Sequence, residues 1–317
     1  AESGGHSVSA VVMKAGSGDV VAMACSGDYF DPHGGQVNTA LAYRPAGSTL
    51  KPLLSALAMD LRFVSPETLI DDSPVVFKGY RPANFDGKYR GEVSLRDALI
   101  LSLNIPFVKM LNAVGVDRFV TTLKGLGFRS ETMREVNGLG LAIGNGETSL
   151  MELVEAYAAL AREVTRHTDV ASVSRATREG VVSPRAAYEV SEMLSGPERS
   201  AAALGHVADA VLPRFAWKTG TSSAYRDAWT VMWNPEYVIG VWCGHKSGGF
   251  GDPSVVGAKA AAPVAWKIAR SLYPQSDAPW FEEPGEPKLR LIERLEGVRG
   301  NSAANRPRIT RRALGNE

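Results

Sequence analysis

The stretch RFAWKTGTSSAYRDAWTVMWNPEYVIGVWCGH, residues 214–245, decides the fold of this chain. Its three apolar runs show alternating periodicity and are separated by short polar segments, which predicts three antiparallel strands in a meander. Residues 7–27 predict two more strands around a Gly-Ser-Gly-Asp turn. We therefore expect an α/β chain of the α+β type, in which both ends of the sequence build one five-stranded antiparallel sheet flanked by helices.

Helical periodicity dominates the residues between these two groups of strands. It begins over residues 48–62 and recurs along the chain, which predicts an inserted helical subdomain over about 60–200. Ser94 is predicted to cap one of its helices. Pro106 is predicted to interrupt helical structure, because proline disfavours the helical conformation of the preceding residue, Ile105.

The composition changes near residue 280. Residues 281–317 are rich in Pro, Gly and Arg and show little periodicity, which favours a C-terminal tail or linker. Residues 1–280 are then predicted to form one domain. The basic end of the tail, RPRITRR, is interpreted as a solvated segment in preference to a contact for an acidic partner.

The bulk composition excludes several classes of protein. With 35 basic and 34 acidic residues the net charge is +1, so no general attraction to nucleic acid is expected. No apolar run is long enough to span a bilayer, and the first ten residues lack the features of a signal peptide. Cys25 and Cys243 lie in strand-like runs without a CxxC motif and are predicted to be buried free thiols; the alternative is a bridge between them. The five scattered histidines predict neither a metal site nor a cofactor.

A serine and a lysine stand together in YRPAGSTLKPLL, residues 43–54. On a helix, Ser48 and Lys51 would share a face, since residues three apart are neighbours. A serine hydroxyl becomes a good nucleophile only when a base takes its proton, and a lysine can be that base only if its pKa is lowered. The alternative is that Ser48 is an ordinary helix N-cap.

Two further short motifs could complete such a site. The first is SLN, in which Ser102 and Asn104 lie at the helix break before Pro106; its alternative is a helix cap. The second is KTGT, residues 218–221, whose alternative is a hairpin turn. KSG, residues 246–248, lacks the trailing threonine and is interpreted as a loop. The glycine-rich residues 138–146 follow no clear strand, which argues against a phosphate-binding loop there.

The order and spacing of SxxK, SxN and KTG are typical of one known pattern. With these motifs, and with stretches such as PANFDGKYRGEVSLRDALILSLNIP and MLSGPERSAAALG, the chain resembles the transpeptidase domain of class A penicillin-binding proteins, most closely the one-C subtype. The resemblance covers about residues 7–272. It implies the fold shared by penicillin-binding proteins and serine β-lactamases.

The resemblance also implies a role for each motif residue. Ser48 would be the acylated nucleophile, Lys51 its base, Ser102 a proton relay, and Lys218 a group that tunes the electrostatics. The backbone N–H groups of Ser48 and Thr221 would form the oxyanion hole. Substrate binding would fall to Asn104, Thr219, Gly220 and Thr221, with the two threonines on the terminal carboxylate.

The implied reaction is D,D-transpeptidation of peptidoglycan. Ser48 would attack a D-Ala-D-Ala stem peptide, release the last D-Ala and pass the acyl group to an amine; β-lactams would acylate the same serine. The full-length protein would carry a membrane anchor and a glycosyltransferase domain outside these residues, would face the periplasm and could meet other cell-wall synthesis proteins. A D,D-carboxypeptidase, a serine β-lactamase and a sensor module without turnover are the alternatives. The β-lactamase is disfavoured because no ExxLN string occurs and because Leu103 replaces the aspartate of SDN.

Overall fold

A computed structural model describes most of the chain. The described residues are 7–25, 30, 36–129, 138–165, 181–204, 212–246, 248–249, 251, 256–285, 293–295 and 309–311. Residues 26 and 27 of the predicted first hairpin lie outside them. No helix in these ranges is long and apolar enough to cross a membrane.

The expected five-stranded antiparallel sheet is confirmed. Its strands are β1 (Ser7–Lys14), β2 (Val20–Cys25), β7 (Ala216–Thr221), β8 (Asp227–Trp233) and β9 (Tyr237–Gly244). They lie in the order β2-β1-β9-β8-β7, so the first strand of the chain pairs with the last strand of the meander. β8 is buried along its whole length, and β2 is exposed along its whole length at one edge.

Eight α-helices are described, numbered here in chain order. They are α1 (Lys51–Asp60), α2 (Leu95–Ile100), α3 (Ile105–Val114), α4 (Val116–Gly125), α5 (Leu150–Thr165), α6 (Pro184–Ser195), α7 (Pro197–Leu204) and α8 (Ala262–Leu272). α5 covers one face of the sheet and α8 the other. The approach of α5 is close, since a Cβ on Gly240 of β9 would lie 2.4 Å from Val154 Cγ2.

The predicted helix signals are confirmed in part. Ser94 caps α2, because its side chain accepts a hydrogen bond from the Asp97 backbone N–H. The predicted break is present between α2 and α3, but Ile105 is itself helical and begins α3. Pro106 is tolerated there because the first turn of a helix has no intrahelical acceptor for the N–H that proline lacks.

Short strands form two smaller sheets. β3 (Arg44–Pro45) pairs with β6 (Glu147–Thr148). The other sheet has the order β11-β10-β4-β5 and consists of β4 (Leu69–Asp72), β5 (Gly91–Ser94), β10 (Glu293–Leu295) and β11 (Ile309–Arg311). The predicted tail therefore contributes the strands β10 and β11, and β10 pairs with β4. The division into 1–280 and 281–317 stays a prediction.

The two cysteines differ in their surroundings. Both are free, and Cys243 is buried as expected. Cys25 is exposed, contrary to the prediction, because it lies on the edge strand β2. Its thiol donates a hydrogen bond to Asn38 Oδ1 at 3.3 Å.

Candidate active site

Ser48 lies inside a short 3-10 turn, Gly47–Leu50, that leads directly into α1. The N-cap residue of this turn is Ala46, and no side chain makes a capping hydrogen bond there. The hydroxyl that does bond to Ala46 is that of Thr49, which donates to Ala46 O at 2.7 Å. The interpretation of Ser48 as a helix N-cap is therefore wrong. Ser48 instead lines a cleft of about 440 Å³.

Lys51 is fully buried behind this turn. Its ammonium group donates to Ser102 O at 2.7 Å and to Asn104 Oδ1 at 2.8 Å, and it lies 3.5 Å from Ser102 Oγ. Burial lowers the pKa of Lys51 from 10.5 to about 7, because an ammonium group without a paired carboxylate loses its hydration. A lysine with such a pKa is partly neutral at physiological pH and can accept a proton.

Ser102 joins two lysines. Its hydroxyl accepts a hydrogen bond of 2.8 Å from Lys218 Nζ, and Lys51 Nζ lies 3.5 Å from the same oxygen. Its backbone is left-handed, with φ at 57°, a conformation that a residue with a side chain seldom adopts. The helix break before α3 holds Ser102 in this conformation, which is typical of functional positions.

Lys218 is fully buried on β7, and its ammonium group also donates to Thr219 O at 2.8 Å. Burial lowers its pKa well below 10.5, and the positive charges of Arg199 and Lys51 lower it further. The sequence-predicted residues Lys51, Ser102 and Lys218 thus form one continuous hydrogen-bonded chain beside the cleft.

Asn104 is held by a network from the preceding loop. Its side-chain amide donates to Ala83 O at 2.8 Å, and its backbone N–H donates to Asn84 Oδ1 at 2.7 Å. Asn84 in turn donates to both carboxylate oxygens of the buried Asp72, at 2.8 and 2.9 Å. One hydrogen of the Asn104 amide remains available to a ligand.

Two glycines let β7 approach the 3-10 turn closely. A Cβ on Gly47, whose φ is 56°, would lie 2.9 Å from both the backbone N and O of Thr221. A Cβ on Gly220 would lie 2.8 Å from Ala46 O. This contact places the backbone of Thr221 next to that of Ser48, the pair from which the predicted oxyanion hole would be built.

The two threonines of KTGT each accept a hydrogen bond. Arg199 Nη2 donates to Thr219 Oγ1 at 3.1 Å, and the Gly257 backbone N–H donates to Thr221 Oγ1 at 3.2 Å. Because each oxygen accepts from a pure donor, each hydroxyl keeps its own hydrogen for a further acceptor. Both threonines line the cleft, as does Gly220.

Several cleft residues were not singled out from the sequence. Phe85 and Tyr225 meet edge to face across the cleft, with ring centres 5.7 Å apart. Gly144 and Asn145 also line it, because residues 138–146 fold back against the 3-10 turn that contains Ser48, and Gly47 N–H donates to Gly144 O at 3.0 Å. In the sequence, Phe85 lies in the PANFDG stretch, and Gly144 and Asn145 lie in the glycine-rich stretch 138–146.

The KSG motif takes no part in the described cleft. Lys246 and Gly248 lie in the loop after β9, where Lys246 O accepts a hydrogen bond from Arg44. Ser247 lies outside the described residues. The two ends of the motif are in a loop, as predicted.

Comparisons with known proteins show the family to which the chain belongs. Residues 8–268 match the family model described as penicillin binding protein transpeptidase domain. Penicillin-binding protein 1C of Escherichia coli is 30% identical over 85% of this chain, which spans 39% of that protein. Penicillin-binding protein 1A of Neisseria meningitidis serogroup A is 31% identical over 68% of this chain, which spans 30% of that protein.

Solved structures show the same fold. The crystal structure of penicillin-binding protein 1A from Haemophilus influenzae matches with a TM-score of 0.72 at 17% identity, over 98% of this chain and 53% of that one. The PonA1 protein from Mycobacterium tuberculosis in complex with penicillin V matches with a TM-score of 0.70 at 18% identity, over 89% of this chain and 81% of that one. Of the two curated relatives named above, the chain spans 39% and 30% of the length. It belongs to the penicillin-binding proteins and carries the transpeptidase domain of their class A members.

Proposed function

We propose that this chain is a peptidoglycan D,D-transpeptidase that works through an acyl-enzyme on Ser48. The observation that carries the proposal is the hydrogen-bonded chain of Lys51, Ser102 and Lys218, whose Ser102 lines the same cleft as the partly exposed Ser48. A nucleophile with an adjacent base, itself oriented by a third group, is the arrangement that acyl transfer requires.

Acylation begins with the transfer of the Ser48 hydroxyl proton to neutral Lys51. Ser48 Oγ then attacks the carbonyl carbon of the penultimate D-Ala, and the negative charge on the carbonyl oxygen is stabilised by the N–H groups of Ser48 and Thr221. The C–N bond breaks and the nitrogen of the last D-Ala leaves. Its proton comes from Lys51 through the Ser102 hydroxyl, which the Lys218 ammonium group holds in place.

The cleft also suits the terminal carboxylate of the donor peptide. Thr219 and Thr221 each have a hydroxyl hydrogen left to donate, and the buried Lys218 ammonium group, which donates to Thr219 O, adds positive potential beside them. Asn104 would hold the peptide amide with its remaining N–H.

In the second half of the reaction an amine from a neighbouring stem peptide attacks the Ser48 ester and takes the acyl group. Water in place of the amine would make the chain a D,D-carboxypeptidase. A β-lactamase would need a carboxylate to activate water, and the cleft-lining residues that the structure describes include neither Asp nor Glu. This observation favours a long-lived acyl-enzyme with β-lactams.

The family extends the proposal to the cellular setting. Because the structure of the PonA1 protein is that of a complex with penicillin V, we propose that β-lactams acylate Ser48 here as well. The full-length protein would sit on the periplasmic face of the inner membrane, next to a glycosyltransferase domain and other cell-wall synthesis proteins.

Turnover of a synthetic stem peptide ending in D-Ala-D-Ala tests the reaction. With a D-amino acid as acceptor, mass spectrometry should detect free D-Ala and a product in which the acceptor replaces it. Hydrolysed tetrapeptide alone would indicate the carboxypeptidase. A peptide that binds but releases no D-Ala, together with a lack of β-lactam acylation, would identify a sensor module and contradict the proposal.

The rate of acylation should depend on pH through Lys51. Below a pKa of about 7 the neutral fraction of Lys51 falls tenfold per pH unit, so the second-order rate constant at pH 5 should be about 100-fold below its plateau above pH 8. Time courses of adduct formation with benzylpenicillin measure this profile, and thermal unfolding at each pH controls for loss of the fold. A rate that is flat from pH 5 to 8 would exclude Lys51 as the base.

A further inference from the structure

Arg199 is a buried cation to which the proposed mechanism gives no task. It lies on α7, and its side chain is 3% exposed. Its guanidinium group stacks over the Trp217 ring, 4.2 Å from the ring centre. Burial lowers its pKa to about 10, which still leaves the group charged at neutral pH. A buried charge is costly, so its retention points to a use.

Three hydrogen bonds connect this guanidinium group to the catalytic strand and to the helix before the relay serine. Arg199 donates to Trp217 O at 3.3 Å and to Thr219 Oγ1 at 3.1 Å, the residues on either side of Lys218. It also donates to Ile100 O at 3.1 Å, at the end of α2 and two residues before Ser102. One rigid planar group thus fixes both partners of the Lys218–Ser102 hydrogen bond.

The bond to Thr219 has a directional consequence. A guanidinium group can only donate, so Thr219 Oγ1 must be the acceptor and the hydroxyl hydrogen must turn elsewhere. Thr219 lines the cleft, where the proposed ligand brings a carboxylate. A methionine in place of Arg199 would let the hydroxyl rotate and donate to a neighbouring protein oxygen instead.

The surroundings of Arg199 are neutral or positive. Its three acceptors are uncharged oxygens, and the charges that act on its neighbour Lys218 are those of Arg199 itself and of Lys51 on α1. Glu198, the adjacent residue of α7, is exposed. The group therefore adds positive potential to the end of the cleft that Thr219 lines, and among the described residues no carboxylate accepts a hydrogen bond from it.

We propose that Arg199 is a positioning residue that holds the Thr219 hydroxyl as a hydrogen-bond donor and thereby sets the preference of the cleft for ligands with a free carboxylate. This inference rests on the proposed function, since it assigns a determinant of ligand choice to the same site. It concerns the ratio of the acylation rates for ligands with and without a free carboxylate, and not the chemistry at Ser48.

The test compares two probes, benzylpenicillin and its methyl ester, whose adducts are followed by intact mass. The wild type should prefer the free acid. Arg199→Met, which keeps a long apolar side chain, should lower the acid-to-ester rate ratio by about tenfold, the effect of one lost hydrogen bond to a charged group. Thr219→Val should lower it similarly, and the double variant should lower it no further, because both changes remove one interaction.

The ratio is insensitive to the fraction of active protein, since both probes react with the same molecules. Arg199→Lys keeps the charge but lacks the planar guanidinium group, so its acid-to-ester rate ratio should also fall. This variant tests the inference if Arg199→Met does not fold. An unchanged ratio in either folded variant, or fully additive effects in the double variant, would overturn the inference alone. No adduct with either probe on the wild type would overturn the proposed function and this inference with it.

Discussion

Lys51→Met is expected to lower the rate of Ser48 acylation by about 10³-fold, within the range that a general base contributes. Methionine fills most of the space of the buried side chain but cannot accept a proton. It also removes the hydrogen bonds that Lys51 donates to Ser102 O and Asn104 Oδ1. The second-order rate constant for benzylpenicillin, taken from time courses of adduct mass, measures the effect.

Lys109→Met is the matched control for the loss of a buried lysine. Lys109 lies on α3, is 6% exposed and forms an ion pair with Asp71 at 2.9 Å. Its loss should lower the thermal stability while the acylation rate of the folded protein stays near that of the wild type. If Lys51→Met acylates as fast as this control, the assignment of Lys51 as the base is wrong.

Gly47→Ala is expected to lower the acylation rate by about 10²- to 10³-fold, the effect of losing one oxyanion-hole donor. The added Cβ would lie 2.9 Å from the backbone N and O of Thr221, a distance that forces one of the two backbones to move. Because the proposed oxyanion hole uses N–H groups from both, a shift of several tenths of an ångström disrupts it.

The control for this variant separates backbone strain from the contact. Gly79 also has a positive φ, of 88°, but a Cβ there would meet nothing within 4 Å. Gly79→Ala therefore costs similar conformational free energy, about 1 kcal/mol, without touching the cleft. Equal acylation rates in the two variants would show that the approach of Gly47 to Thr221 does not matter for the chemistry.

The sheet could be predicted from the sequence because its signals are local. Alternation of apolar and polar residues marks the meander at 216–244, and a short polar turn marks the first hairpin. β10 and β11 could not be predicted in this way. Each has three residues, which is too few for a period, and β10 is paired in parallel with β4, more than two hundred residues earlier.

The candidate site also combines residues that could be predicted from local motifs with one that could not. Ser48, Lys51, Ser102 and Lys218 carry recognisable motifs, and the fold brings their three segments together. Arg199 carries no motif. Its bonds reach Ile100 and Thr219, because α7 packs beside α2 and the Arg199 side chain extends from α7 to β7. Contacts of this kind follow from tertiary packing and leave no periodic or spacing signal in one sequence.

The environments of individual residues were also hard to predict. Cys25 lies in an apolar run that suggested burial, yet β2 is an edge strand with no neighbour on its outer side among the described residues. The left-handed backbone of Ser102 follows from the geometry of the connection between α2 and α3. From the sequence, Pro106 predicts that the helix is interrupted there but not which backbone conformation Ser102 adopts.

In the proposed reaction Ser48 is the nucleophile, and the acyl-enzyme that it forms with β-lactams deacylates slowly. Intact mass after brief incubation with benzylpenicillin, followed by peptide mapping, measures this on the wild type and on Ser48→Ala in parallel. We predict one lasting adduct on the wild type, mapped to the peptide that contains Ser48, and none on the variant. An adduct on Ser48→Ala, an adduct mapped elsewhere, or rapid hydrolysis of the drug without a surviving adduct would show that Ser48 does not have this role.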